Sequence, residues 1–569
     1  MQKVKIICFW VVLCMNGVYA QDNNTVAKEV ATSDNKDNRD SARFEVSKQL
    51  DIFNSLIKEM EMFYVDTIDI QKTMRRGIDA MLKGLDPYTE YISEDEMEEL
   101  KFITTGEYGG IGAYIRYREG GTVITEPFEG MPAAEVGLKA GDVIQAIDAI
   151  ETKSLPSDKV SELLKGVPNT KIKIKVQRPG EKNPRTFDVV RKQVIVNQVV
   201  HYGVYGDKTG YIYLRSFTDK SAHEVKAAYE DLKKNHQIES LILDLRDNGG
   251  GVMEGSIQIV NLFVPKGKEA LTTRGKVRQL DRTYRTYNEP IDTMIPMAIL
   301  INGGSASASE IVAGALQDMD RAVLIGQRSF GKGLVQSTRD LPYEGKLKIT
   351  MFKYYIPSGR CIQQLDYTHR NPDGSVGAIP DSLTSVFYTA NGRPVRDGGG
   401  IRPDIEVEEP KIPTMLFYLN PKYVDRDFIM FDYITDWVNK HQTIPSVEAF
   451  EYSDQDYESF KQYMIEKNFQ YDRQSGQALE ALQEIAEFEG FMDEDAALFA
   501  VLSEKLKPNL ERDLERYKTE IKRLISTEIV KRYYYQSGEI KYQLRDDKTL
   551  QKALEVLKDK ETYNKTLKL

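Results

Sequence analysis

Cysteine is scarce in this 569-residue chain: there are three, Cys8, Cys14 and Cys361, beside five histidines and two tryptophans. That supply excludes a cysteine-rich zinc site, and no H-E-x-x-H occurs, so a metal-dependent mechanism has little to build on. A basic excess is missing too. The formal net charge is −10, which argues against nucleic acid or an anionic membrane surface as the main partner. Long apolar runs are absent apart from Ile6 to Met15, about half of what a membrane-spanning helix needs. No repeat of the solenoid kind is found. What remains, with 41% apolar and 29% charged residues, is the composition of a soluble globular protein. The length exceeds the roughly 250 residues at which a single core stops growing, so several domains are expected.

The one apolar run, within residues 1–20, reads as a targeting segment. Lys3 and Lys5 precede it, and Val18-Tyr19-Ala20 supplies small residues where a signal peptidase reads. Cleavage after Ala20 removes both lysines and takes the net charge from −10 to −12. The competing readings are a retained anchor and a lipid on Cys14; the bulky Leu13 before that cysteine disfavours the second. Cys8 and Cys14 leave with the segment, so the exported chain keeps Cys361 and forms no internal disulfide, although its compartment permits one. The expected location is the periplasm, with secretion or membrane association as alternatives.

Residues 21–40 are polar, rich in Asn, Asp, Ser and Lys, and read as a disordered leader. Over residues 41–100, Phe44, Leu50, Ile52, Phe53, Ile57, Met60 and Phe63 recur at helical spacing until Leu85-Asp86-Pro87-Tyr88 breaks the pattern. Residues 101–195 change to short β-rich runs punctuated by glycine. Strands are expected at 111–117, 122–127, 142–147, 171–178 and 186–190, with a short helix at 160–164. From 196 to 410 strands and helices alternate, the pattern of an α/β layer. The strands fall at 210–216, 241–245, 297–302, 322–326 and 346–355, the helices at 222–235, 255–263 and 306–317. Residues 411–569 favour helix formers and read as a helical extension.

Chemistry concentrates in two loops of the α/β region. A buried strand, Met297 to Ile301, runs into Asn302-Gly303-Gly304-Ser305-Ala306-Ser307-Ala308-Ser309-Glu310. This puts a serine hydroxyl at a helix N-terminus, where free N–H groups and the macrodipole favour a nucleophilic alkoxide or a tetrahedral oxyanion. A plainer reading also fits, since Ser307-x-x-Glu310 is a capping box. The second loop, Gly326-Gln327-Arg328-Ser329-Phe330-Gly331-Lys332-Gly333, has the G-x-x-x-x-G-K spacing of a phosphate-binding loop. Gly333 stands where that loop needs Ser or Thr for magnesium, and Leu334 to Ser337 reads as extended, not helical. A lysine among glycines beside Phe330 can instead be partly desolvated. Burial disfavours the ammonium form and yields the neutral base that a serine hydroxyl requires. A solvated surface lysine is the alternative. His201, His223 and His236 could serve a Ser–His–Asp arrangement, but each reads more simply as a surface or border histidine.

Taken in order, Asn302 to Ile311, Gln317 to Gly326 and Phe330 to Gln336 resemble the core of the C-terminal processing (tail-specific) serine proteases. The resemblance implies Ser307 as nucleophile, Lys332 as general base and Gln336 as the residue that orients the lysine. Ser305 and Ser309 are chemically plausible substitutes, so the choice of Ser307 rests on the likeness. Leu243-Asp244-Leu245-Arg246-Asp247-Asn248-Gly249-Gly250-Gly251 resembles the family's D-L-R-x-N-x-G-G segment, whose glycines let N–H groups face a ligand. With the N–H of Ala308, either Gly250 or Gly251 would complete an oxyanion hole. Tyr355 to Arg360, Gly400 to Asp404 and Leu85 to Thr89 match further landmarks. In the β-rich stretch, Tyr108-Gly109-Gly110-Ile111-Gly112 resembles the carboxylate-binding loop of a PDZ domain, and Pro132 to Asp148 its second half. Gly109, Gly110, Ile111 and Gly112 would then receive a C-terminal carboxylate.

The resemblance covers about residues 53–404. It implies a multidomain α+β chain: a ClpP/crotonase-like α/β serine protease core (196–410) with an inserted PDZ domain (101–195), an N-terminal helical segment (41–100) and a C-terminal helical extension (411–569). The implied activity is that of an exported endopeptidase with a Ser–Lys dyad. It would grip the accessible C-terminus of a protein or peptide and cut near or upstream of it, with no cofactor, no metal and no nucleic acid. Residues 411–569 match nothing in the resemblance and leave an adaptor or self-association open. The rival from another class is a non-catalytic PDZ-containing binding or scaffold protein on the same fold. A hydratase or hydrolase of the enoyl-CoA kind is disfavoured by the targeting segment and the PDZ block.

Overall fold

A computed structural model describes residues 36–371, 374–408, 412–420 and 428–569. The targeting segment and residues 21–35 of the leader lie outside the described residues. Two helices, α1 (Lys36–Phe63) and α2 (Ile70–Lys83), come first, and α1 begins within the stretch read as a leader. The helical spacing noted in the sequence falls on α1, yet Phe44, Leu50, Ile52, Phe53 and Phe63 stay exposed.

The central sheet has six strands in spatial order: β1 (Val199–Tyr205), β2 (Thr209–Leu214), β3 (Ser240–Asp244), β4 (Met297–Ile301), β5 (Val323–Gly326) and β6 (Ile405–Glu406). β1 and β2 form an antiparallel hairpin, and all other pairings are parallel. Every residue of β3 and β4 is buried, as parallel strands covered on both faces must be. On one face Leu241, Leu243, Ile299 and Ile301 share a core with α3 (Ser221–His236), α4 (Met253–Phe263) and α5 (Ala308–Asp318).

The opposite face is covered from far along the chain. Four more helices matter here: α6 (Ile429–Lys440), α7 (Lys518–Gln543), α8 (Lys548–Lys558) and α9 (Lys560–Leu567). Tyr211, Ile242, Ala298 and Leu300 pack against Leu550, Val556 and Leu557 of α8 and Tyr563 and Leu567 of α9. The last two helices are thus a third layer of the α/β body. Arg246 fixes them in place, paired with Asp244 at the end of β3 at 2.6 Å and with Asp547, the N-cap of α8, at 2.7 Å. The Asp547 carboxylate also accepts the Leu550 N–H at 2.8 Å, satisfying one of the helix's orphan donors.

A second, antiparallel sheet is built on the long strand Lys346–Tyr355, which pairs with Leu334–Asp340, Glu269–Gly275 and Glu90–Ile92. A bulge interrupts its register between Val335 and Gln336, and bulges re-aim the side chains beside them.

Residues 113–190 form a six-stranded sheet around a core of Ile124, Ile144, Val160 and Ile174, with helix Ser157–Leu164 packed into it. A ribbon of Glu107–Gly110 with Lys192–Ile195 joins this module to the body. A separate helical core holds α6 and α7 together through Met430, Ile434, Trp437, Ile521, Ile525 and Ile529. The β module docks on it: Arg118 pairs with Asp432 at 2.7 Å, and Lys531 lies between Glu126 at 2.6 Å and Glu539 at 3.4 Å.

Candidate active site

The loop after β4 sorts its three serines by their hydrogen bonds. Ser305 donates its hydroxyl to the Leu245 carbonyl and Ser309 to the Asn248 carbonyl, both at 2.8 Å, and both residues are fully buried. They stitch the 302–309 loop to the 245–251 turn. Ser307 instead lines a cavity, caps α5 and sits at φ 56°. That left-handed backbone costs a non-glycine residue about 1–3 kcal/mol and persists only where the surroundings enforce it. The close partner is Gly250: a side chain there would put its Cβ 2.9 Å from the Cβ of Ser307, and its φ of 103° suits glycine.

One carboxylate ties the two loops together. Glu310, fully buried, reaches back from the first turn of α5 and accepts the Ser307 N–H at 2.7 Å, as the capping-box reading expects. The same side chain accepts the Lys332 N–H at 2.9 Å, the Gly331 N–H at 2.7 Å and the Ser329 hydroxyl at 2.5 Å. Burial pushes the Glu310 carboxyl up from its ordinary value, and these four donors oppose that shift. Gly331 is required for the approach, because at φ 87° a Cβ would come within 2.5 Å of the Gln364 Cβ and 2.9 Å of the Gly400 nitrogen.

Lys332 is 4% exposed, which excludes the solvated surface lysine. Its Nζ lies 4.0 Å from the ring centre of Tyr88. Tyr88 belongs to the Leu85–Thr89 turn, which the Asp86 carboxylate closes by accepting the N–H groups of Tyr88 and Thr89 at 2.8 Å and the Thr89 hydroxyl at 3.0 Å. Gln336 is buried and lines the cavity of Ser307. Its side-chain amide donates to the Thr350 hydroxyl at 3.0 Å, and the Thr350 N–H donates to the Thr89 hydroxyl at 3.2 Å. The N-terminal turn therefore touches both Lys332 and the support of Gln336.

The cavity beside Ser307 is small, about 10 Å³, and is lined by Gly251, Met253, Ala308, Ile311, Leu334, Val335, Gln336 and Tyr354. That is room for about one water molecule. Of the two candidate oxyanion glycines, Gly250 has its N–H engaged with the Asn248 side-chain oxygen at 2.9 Å. Gly251 lines the cavity, as does Ala308 at the start of α5.

The proposed carboxylate loop lies in the β module. Gly109 and Gly110 belong to the connecting ribbon, opposite Gln193 and Lys192. Ile111 is buried in the module's core and Gly112 has φ 72°. The N–H groups of Gly112 and Ala113 face the hydroxyl of Tyr108, whose ring crosses Gly110: a Cβ there would lie 2.8 Å from the Tyr108 Cε2. Among the described residues the adjoining strand Ala113–Arg118 pairs on one side only, with Gly121–Pro127.

Two contributors escaped sequence reasoning. Glu310 was visible only as a helix cap, and Tyr88 only as part of a landmark block.

The profile of peptidase family S41 matches residues 208–370, and a PDZ-domain profile matches residues 123–178. A third profile, described as a probable PDZ-protease C-terminal helical domain, matches residues 421–557. The carboxy-terminal-processing protease of Bartonella bacilliformis is 34% identical over 361 residues, 63% of this chain and 81% of that one. The chain belongs to the S41 family of carboxyl-terminal-processing proteases. The family member from Synechocystis, a carboxyl-terminal-processing protease, is 35% identical over 295 residues, 51% of this chain and 68% of its own length. Among solved structures, the photosystem II D1 C-terminal processing protease aligns over 65% of this chain and 89% of its own, at 26% identity and a TM-score of 0.34. For this S41 member the β module is its PDZ domain, and α6 and α7 lie in the helical domain that the likeness noted in the sequence did not reach.

Proposed function

We propose that this S41 protease is an exported serine endopeptidase that uses Ser307 and Lys332 to cleave proteins near their C-termini, with its PDZ domain holding the free end. The observation that carries the reading is the shared site. Ser307 and Gln336 line one cavity, and the main chain of Lys332 hangs on the same carboxylate as that of Ser307.

In the proposed reaction the Ser307 oxygen attacks the scissile carbonyl while Lys332, neutral, takes the hydroxyl proton. The N–H groups of Gly251 and Ala308 hold the oxyanion, at the positive end of α5. The carbon–nitrogen bond breaks, the lysine returns its proton to the departing amine, and a water hydrolyses the acyl-enzyme with Lys332 again as base. Gln336, anchored on Thr350, orients the lysine. The small apolar cavity takes the side chain on the acyl side of the cut, which selects small apolar residues such as alanine. Residues 1–20 direct the chain to the periplasm. No helix of the described residues is long and apolar enough to cross a membrane.

The deciding test uses unfolded β-casein at pH 8 without added metal, comparing the mature protein with Ser307→Ala and Lys332→Ala. Cleavage by the parent and its loss in both variants is the expected result. Equal cleavage by all three overturns the assignment. A silent parent that still binds C-terminal peptides favours a binding protein on the same fold.

A further inference from the structure

We infer that Tyr88, contributed by the N-terminal segment, is a positioning residue for Lys332, and that its ring face holds the lysine Nζ and sets the acid limit of activity. The inference rests on the reading of Lys332 as the base.

The Nζ lies 4.0 Å from the ring centre, well inside the roughly 6 Å reach of a cation–π contact. Both partners are almost fully buried, at 4% and 7% exposure, so water does little to weaken the attraction. The ring cannot swing away easily. Asp86 pins its main chain by the turn described above. Tyr367 packs edge-on against it, centroids 6.0 Å apart at 84°, with the two hydroxyls 3.4 Å apart. A surface turn would not need a buried aspartate and a second aromatic to fix one tyrosine.

An aromatic face attracts an ammonium and not a neutral amine. It therefore favours the protonated lysine and works against the burial that favours the free base. The balance fixes where the general base becomes available, and the contact seats the Nζ whenever it carries the proton, including the one it takes from Ser307. The other titratable groups on the surrounding elements include Asp86 in the same turn, Glu310 on α5, Tyr367 and its neighbour Asp366, Tyr354, Lys353 opposite Leu334, and the ion pair of Lys348 with Glu90 at 2.7 Å. None of them changes when only the electron density of the ring is altered, so such a change isolates the ring.

The test is a pH profile of kcat/KM and kcat on a disordered protein substrate, using the full chain. Tyr88→Phe supplies the reference, and the series replaces that phenylalanine by analogues with one, two and three ring fluorines, which weaken the face without changing its shape. Tyr88→Leu removes the face. The expected result is a stepwise move of the acid limb to lower pH, reaching about 0.4–1.5 units for the leucine variant. KM should change little, while kcat at the optimum falls as the Nζ loses its seat. Superimposable profiles across the fluorinated series overturn the inference, and that series keeps its meaning even where the leucine variant folds poorly. Activity retained by Lys332→Ala would instead sink the base assignment itself. Loss in Lys332→Ala together with an unmoved fluorinated series would sink only the role of Tyr88.

Discussion

Ser307 and Lys332 donate their main-chain N–H groups to one carboxylate oxygen, Oε2 of Glu310, at 2.7 and 2.9 Å. Two loops from different strands are thereby held in fixed relation by a single buried carboxyl group, and the other oxygen holds Ser329 and Gly331. Glu310→Gln turns one acceptor into a donor that must face N–H groups. A buried donor without a partner costs about 1–3 kcal/mol. The expected outcome is a fall in kcat of about 10- to 100-fold with KM within about threefold. Unchanged kcat in a folded variant would show that the carboxylate only caps the helix.

Met253 and Val335 line the cavity of Ser307. Peptides with alanine at the cleaved position should be cut faster than those with leucine or phenylalanine, by at least about tenfold in kcat/KM. Met253→Ala should narrow that preference by admitting the larger residues. A parent that prefers phenylalanine would mean that the cavity is not the side-chain pocket.

In the PDZ loop the Tyr108 hydroxyl faces the N–H groups of Gly112 and Ala113. A peptide carboxylate bound there has to displace it. Removing the hydroxyl in Tyr108→Phe should tighten binding of a C-terminal peptide by about 2- to 10-fold, as a net hydrogen bond is worth. Calorimetric titration reads this directly, and weaker or equal binding refutes the competition.

His201 ties β1 to α7, bonded to Tyr205 at 2.9 Å and Ser537 at 3.1 Å. Burial, aided by Lys541, pulls its imidazole down to about 4. The unfolded chain takes up that proton near pH 6.5 and the folded chain only near 4, so stability is full above 6.5 and declines as the pH falls through this window. The loss is about 2 kcal/mol by pH 5. Urea unfolding followed at pH 7.5 and pH 5 should show a smaller acid loss in His201→Gln than in the parent. Equal losses would place the acid sensitivity elsewhere.

The parts of this protein that announced themselves in sequence are those with local causes. The buried strands Leu241–Leu245 and Met297–Asn302 are mostly apolar and lead towards glycine turns, and they appear as β3 and β4 within a residue. The serine and lysine loops were legible because they combine glycine punctuation with reactive side chains. What stayed hidden depends on distance along the chain. β1 alternates weakly, Glu269–Gly275 is polar at its end, and neither was anticipated. Nothing in the apolar face of α8 says that its partner is Ile242 or Leu300 rather than another helix. That the Gly250 N–H is engaged by the Asn248 side chain is exposed by no spacing rule.

The packing of α8 and α9 on the central sheet sets an order of events during synthesis. β3 and β4, the strands that lead into the glycine turn and the serine loop, are made long before residues 548–567. Until those residues emerge, one face of the sheet carries Ile242, Ala298 and Leu300 bare, and Arg246 lacks its partner Asp547. A nascent chain exposes such surface as a sticky, incomplete intermediate. A chain interrupted before residue 548 would leave that face of the central sheet uncovered and Arg246 without Asp547.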